Sequence, residues 1–225
     1  MKLQKNQKNK KGFLPGLSNH MIKNIIFDIG GVVVIKGRFN AFMKLMAKAI
    51  FGTTNPEFFK EEEISKKVKT EWHQWSLGKL TAKQFFDMQR KKYHLKLSTN
   101  RMAYLLYHSQ KQSRPIVSLI KKLKSKYAIY ALTNHTKEWF IYQTKQYDYN
   151  ALFSGIMTSF EAKSAKPNIM IYKKLLKKYN LNPKECVFIA HQAENLLPAK
   201  KLGMETIFYV SSKKLKTDLK KHGVI

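Results

Sequence analysis

One ten-residue stretch limits this chain more than any other: NIIFDIGGVV, residues 24–33. An apolar run of β-formers, Ile25–Phe27, ends on a carboxylate, Asp28, and the chain then turns through Gly30 and Gly31. A short apolar run bounded by glycines reads as a buried strand. A carboxylate at the end of such a strand sits at the rim of a sheet, where the backbone must turn away.

Similar runs recur, each followed by helical periodicity. Ala128–Leu132 leads into a segment beginning near Thr136. Leu152–Met157 precedes a helix start at Lys166–Pro167. Val187–Ile189 precedes a helix through Ala199, and Thr206–Val210 closes the series. Alternating strands and helices predict an α/β fold with a parallel sheet covered on both faces. Reactive groups in such sheets collect beyond the carboxyl ends of the strands. Asp28, Thr133, Ala190 and His191 all fall at such ends. In helix 115–126, Pro115 suits the first turn, and Val117, Ile120 and Leu123 form an apolar face. After Pro167, Ile171, Leu175 and Tyr179 repeat the design.

Residues 38–112 lack this rhythm. Phe39, Phe42, Leu45, Met46 and Ala49 are spaced as a helix face, Trp72 and Trp75 flank one turn, and Thr81 is a candidate N-cap after the break at Gly78. The expected organisation is therefore a basic mobile arm at 1–20, an α/β core at 21–37 and 113–225, and an all-helical insertion at 38–112. The arm has no apolar segment of the secretory kind. No apolar run approaches the roughly 20 residues that span a bilayer. The single cysteine, Cys186, lies in an apolar run and reads as a buried hydrophobe, consistent with an intracellular, reducing compartment.

Charge adds a second constraint. The chain carries 43 basic residues against 14 acidic ones, a net charge of +29. Only five of the lysines fall in residues 1–20, so the imbalance belongs to the rest of the chain. A field of this size attracts polyanions, and RNA or a ribonucleoprotein is the expected partner. An anionic small-molecule substrate is the alternative. Compositional drift toward Lys explains the four arginines but not the shortage of Asp and Glu.

Four motifs in order, IIFDIGGVV, YALTNHT, SAKPNIMIY and VFIAHQAENLLPAKKLGM, with SLGKLTAKQFF between the first two, give the chain a family likeness. It resembles the haloacid dehalogenase (HAD) superfamily of phosphohydrolases, in the branch with a helical cap. The resemblance implies a Rossmann-like core with the cap inserted after the first strand. It implies that Asp28 is the nucleophile that accepts a phosphoryl group, that Thr133 holds a phosphoryl oxygen, that Lys166 neutralises the developing charge and that Asn134 supports the loop.

Two positions depart from the family pattern. The second acid, two residues after the nucleophile, is Gly30 here. The acids that bind Mg²⁺ in the fourth motif are Ala190 and His191 here. Mg²⁺ wants oxygen ligands, so Asp28 is left as a weak ligand, with Glu194 as a possible substitute. Losing metal stabilisation worth several kcal/mol implies a loss of about 10³-fold or more in rate. The true haloacid dehalogenases use the nucleophile without a cation, but AHQAEN does not reproduce their fourth motif. The expectation is a HAD-like protein with weak or no hydrolase activity, a pseudoenzyme scaffold that binds RNA. The alternative is a phosphatase of a small phosphorylated metabolite, working through an aspartyl phosphate on Asp28.

Overall fold

The computed structural model of the chain describes residues 21–36, 41–55 and 61–225. The expected arm at 1–20 and the junction at residues 37 and 38 lie outside them.

Strand β1 (Asn24–Phe27) is fully buried and leads into a small strand, β2 (Val34–Lys36). Four helices follow: α1 (Ala41–Phe51), α2 (Glu61–Ser76), α3 (Ala82–Lys92) and α4 (Thr99–Tyr107). Strand β3 (Gln110–Gln112) then pairs antiparallel with β2. This ribbon carries no apolar alternation, and the sequence gives no strand signal for QKQ. The remainder alternates: α5 (Arg114–Leu123), β4 (Ala128–Thr133), α6 (Lys137–Tyr147), α7 (Tyr149–Leu152), β5 (Gly155–Thr158), α8 (Ser159–Ala162), α9 (Ile169–Lys178), β6 (Cys186–Ala190), α10 (Ala193–Lys201), β7 (Glu205–Phe208) and α11 (Ser212–Lys221).

The main sheet is parallel, in the order β5-β4-β1-β6-β7. Strand β1 is central, with β4 and β6 as its neighbours, so connections leave it toward both edges. Side-chain alternation sorts the core into two layers. Ile25, Phe27, Ile129, Val187 and Ile189 pack with α5 and α11 on one face. Ile26, Leu132, Phe188 and Cys186 pack with α9 on the other. Burial pushes the Cys186 thiol up to about 12, as suits a hydrophobe rather than a nucleophile.

Two local expectations shift. The buried stripe of α5 is Ile116, Leu119, Ile120 and Leu123, while Val117 lies at its margin. The full i, i+3, i+4, i+7 set outranks the sparser one that includes Val117. The run at 152–157 is split, because Leu152 closes the short helix α7 and the strand starts only at Gly155. Gly155 is required there, since a Cβ would lie 2.4 Å from the Tyr179 ring.

The helices between β2 and β3 form their own core around Trp75, Phe85 and Phe86. Trp75 stacks on Phe85 at 4.6 Å, and Trp72 meets it edge-on at 5.5 Å. Thr81 caps α3 in a reciprocal capping box with Gln84. One carboxylate ties this core to the sheet domain. Glu138, in the first turn of α6, accepts from Trp75 Nε1 and from the Ala82 backbone N–H, both at 2.9 Å. Trp139 beside it joins the insertion's aromatic cluster.

Removing Glu138 strands two donors at a half-buried junction, each worth about 1–3 kcal/mol. Glu138→Ala should therefore lower unfolding free energy by about 2–4 kcal/mol in urea titration. Glu138→Gln, which keeps an acceptor, should lose less.

Candidate active site

Asp28 is the first residue beyond the central strand. Its backbone N–H donates to Ile189 O at 2.8 Å, extending the ladder with β6 by one residue. The chain then winds around a single carbonyl: the N–H groups of Val32, Val33 and Val34 all donate to Ile29 O. Gly31 makes this turn possible at φ +75°. The result is a carboxylate held at the sheet rim with 3% of the residue exposed.

Lys166 reaches it from the loop between α8 and α9. Its Nζ lies 2.7 Å from Asp28 Oδ1 and donates to Leu132 O at 2.9 Å. Both side chains are almost wholly inaccessible. Burial pulls the Lys166 ammonium below the ordinary lysine range, and the charge and hydrogen bond of Asp28 oppose that pull. Asn134 fixes the loop through a two-way amide clamp. Its Nδ2 donates to Lys166 O at 2.9 Å, and its Oδ1 accepts from Lys166 N–H at 2.8 Å. The Lys166–Pro167 bond is cis. Thr133 ends β4, the neighbouring strand, and is buried. Asp28, Lys166 and Asn134 thus form one connected group, with Thr133 on the adjacent strand end.

The other predicted positions behave differently. Ala190 ends β6, and its methyl is buried in the second core layer. His191 follows, with Nδ1 3.7 Å from Asp28 Oδ2, beyond hydrogen-bond length. That nitrogen is buried and has no hydrogen-bond partner among the described residues. Glu194 sits in the first turn of α10 and is exposed. At Gly30 an added Cβ would meet nothing within 4 Å.

These residues do not fit Mg²⁺. A hard cation needs several oxygen ligands in near-octahedral order. Beside Asp28 the fourth motif offers a methyl and an imidazole. Among the described residues no group of three or more His, Cys, Asp or Glu side chains is placed to hold a metal.

Two supporting residues escape a reading of the sequence. His135 is buried, with Nε2 2.9 Å from Gln143 Oε1 and Nδ1 3.1 Å from Thr136 O. Burial holds its imidazole below the ordinary histidine range. Its backbone N–H donates to Ser159 Oγ at 3.0 Å, and that hydroxyl donates to Ser76 O at 2.6 Å. Ser159 thereby joins the Asn134 loop to the helical insertion. Only the adjacency of His135 to Thr133–Asn134 hints at this in sequence; nothing marks Ser159.

Residues 25–209 match the family model described as haloacid dehalogenase-like hydrolase. Three of the similar solved structures illustrate the likeness. One is a wild-type HAD family enzyme from Bacteroides thetaiotaomicron in complex with magnesium and inorganic phosphate, 24% identical at a TM-score of 0.71, with 84% of this chain and 94% of that chain covered. A protein from Porphyromonas gingivalis described as a predicted HAD-like family hydrolase is 19% identical at 0.71, covering 89% and 98%. A HAD phosphatase from Thermococcus onnurineus is 15% identical at 0.59, covering 88% and 98%. At these identities the likeness is one of fold. No curated protein matches the chain.

Truncating Lys166 to Met should leave a buried carboxylate without its counter-charge. A loss of about 3–5 kcal/mol is expected in denaturant unfolding. Asp28→Asn in the same chain should restore most of it.

Proposed function

The chain belongs to the haloacid dehalogenase-like hydrolases, and on that premise we propose that it hydrolyses phosphate monoesters of small metabolites, with Asp28 as nucleophile. One observation carries this reading: the buried contact of 2.7 Å between Asp28 Oδ1 and Lys166 Nζ at the carboxyl end of the central strand. A structural ion pair gains nothing from standing at the rim of a sheet, where ligands bind. A phosphoryl-transfer site needs that arrangement.

In the proposed reaction Oδ1 stays bound to Lys166 and Oδ2 attacks phosphorus. The bond from phosphorus to the leaving oxygen breaks, and that oxygen takes a proton from water. A second water then attacks phosphorus, the bond to Asp28 breaks, and the carboxylate returns with release of inorganic phosphate. Lys166 offsets the charge that spreads over the transferring group, and the Thr133 hydroxyl holds one of its oxygens. Asn134 contributes by fixing the Lys166 backbone. The helical insertion, docked through Glu138 and Ser159, walls the rim and sets which esters enter. The neighbour from Bacteroides holds magnesium together with phosphate. The donor set here does not fit that cation, and the roles above belong to side chains alone.

A specific observation favours a second reading, in which the same fold is a weakly active or silent scaffold for RNA. The exposed helix faces carry Lys121, Lys122 and Lys124, then Lys173, Lys174, Lys177 and Lys178, then Lys213, Lys214, Lys216 and Lys220. Of these, Lys178 and Lys214 form ion pairs, with Glu161 and Asp218. Contacts from such lysines to phosphates would be sequence-independent.

A panel of phosphorylated metabolites, assayed with and without divalent cations, tests the first reading. Asp28→Asn should reduce turnover by about 10³-fold or more. Gly30→Asp, which has room for its side chain, should raise it by about tenfold or more by adding an acid and base. Absence of any Asp28-dependent turnover would count against the hydrolase. For the second reading, RNA affinity should fall steeply with salt and be untouched by Asp28→Asn. RNA that fails to bind at low salt removes it.

A further inference from the structure

We propose that His191 takes the place of the divalent cation, so that this site holds a phosphoryl group with side chains alone. The inference rests on the phosphoryl-transfer reading of the same site and deepens it. Lys166 would engage the group from one side of Asp28, and His191 from the other.

Position comes first. His191 follows β6, the strand hydrogen-bonded to β1, at the residue where the fold family places a metal-binding acid. Its Nδ1 faces Asp28 Oδ2, while Lys166 occupies Oδ1. The two nitrogen donors therefore flank one carboxylate on opposite oxygens.

The ring is also held in place. Its Cγ, Cδ2 and Cε1 atoms all lie 2.6 Å from where a Cβ on Gly31 would stand. The imidazole lies flat against a glycine that the Asp28 turn already requires at positive φ. Any side chain at residue 31 would push it away.

Finally, the ring has unused capacity. Nδ1 is buried and makes no hydrogen bond among the described residues, which leaves a polar atom unmatched at the rim. The side chain as a whole is 37% exposed, so the ring is not sealed inside the core. A phosphate oxygen lodged beside Asp28 Oδ2 would accept from an imidazole N–H. Mg²⁺ disfavours nitrogen ligands, so an imidazole facing Oδ2 suits a phosphate oxygen better than that cation.

Calorimetric titration of the whole chain with inorganic phosphate tests this, once in chelator and once in magnesium. Wild-type affinity should agree within about twofold between the two conditions. His191→Ala and His191→Asn should each weaken binding by about tenfold or more in both, with their thermal unfolding midpoints reported alongside. The double substitution Ala190→Asp, His191→Asp rebuilds an oxygen donor set. It should bind phosphate about tenfold or more tighter with magnesium than without. Wild-type binding that disappears in chelator overturns the proposal, as does a folded His191→Ala that binds like wild type. The parent reading fails separately. Asp28-dependent turnover alongside cation-dependent phosphate binding sinks only the role of His191. Cation-independent, His191-dependent binding without turnover sinks only the hydrolase.

Discussion

The buried pair of Asp28 and Lys166 is the interaction around which this molecule is arranged. At 2.7 Å, two unit charges attract by roughly 6 kcal/mol in a medium of effective dielectric 20. Removing each from water costs several kcal/mol. Attraction alone therefore does little better than break even. The balance is tipped by bonds that other elements supply: Leu132 O to the ammonium and the Asn134 clamp on the Lys166 backbone. Each supplier sits at a strand end or in the loop that follows. A hydrophobic pair of similar volume would hold the rim as well, so stability is a poor reason for these charges. A carboxylate oxygen held beside a fixed cation is useful where negative charge must be handled.

That pair also explains why the helical insertion is bonded to the core and not merely packed against it. Ser159 Oγ accepts from His135 N–H, next to Asn134, and donates to Ser76 O at the end of α2. Glu138 grips the start of α3 and the Trp75 indole. The loop that positions Lys166 and the element that covers the rim thus share hydrogen bonds. A shift of the insertion would be felt at Asn134 through two intervening residues. The coupling is polar and short-range, which suits a surface that must admit a ligand and still return to one geometry.

How much of this could be read from sequence depends on the kind of signal. Asp28 and Lys166 are legible because each stands against its background: an acid ending an apolar run, and a lysine before a proline in the turn that precedes a helix. The sheet is legible because its inner strands β1 and β6 are buried on both faces and read as continuous apolar runs. Glu138 and Ser159 are not, since their partners lie 24 to 83 residues away and nothing local demands them. The β2–β3 ribbon is illegible for a similar reason. Gln110–Gln112 becomes a strand because β2 offers it an edge, not because of its own side chains. The lysine faces were the most conspicuous feature of the composition, yet the fold engages only a few of them, Lys174 with Ala162 O and Lys178 with Glu161 among them. They lie on the outer sides of helices whose apolar stripes do the packing.

His191 shows what composition and motif cannot convey. As a letter in AHQAEN it records only the loss of an acid. In space its ring fills the notch above Gly31 and aims a buried nitrogen at the carboxylate that a cation would have bridged. Filling and aiming are coupled. The ring can lie flat only because residue 31 lacks a Cβ, and residue 31 lacks one because the turn after Asp28 needs positive φ. The same glycine that turns the chain after Asp28 thus opens the berth for the imidazole. Gly30, one residue earlier, opens onto empty space instead and presents no atom to the site. A site altered only by drift would have no reason to retain a buried polar atom facing Asp28, because an apolar side chain would fill that notch without leaving a nitrogen unpaired.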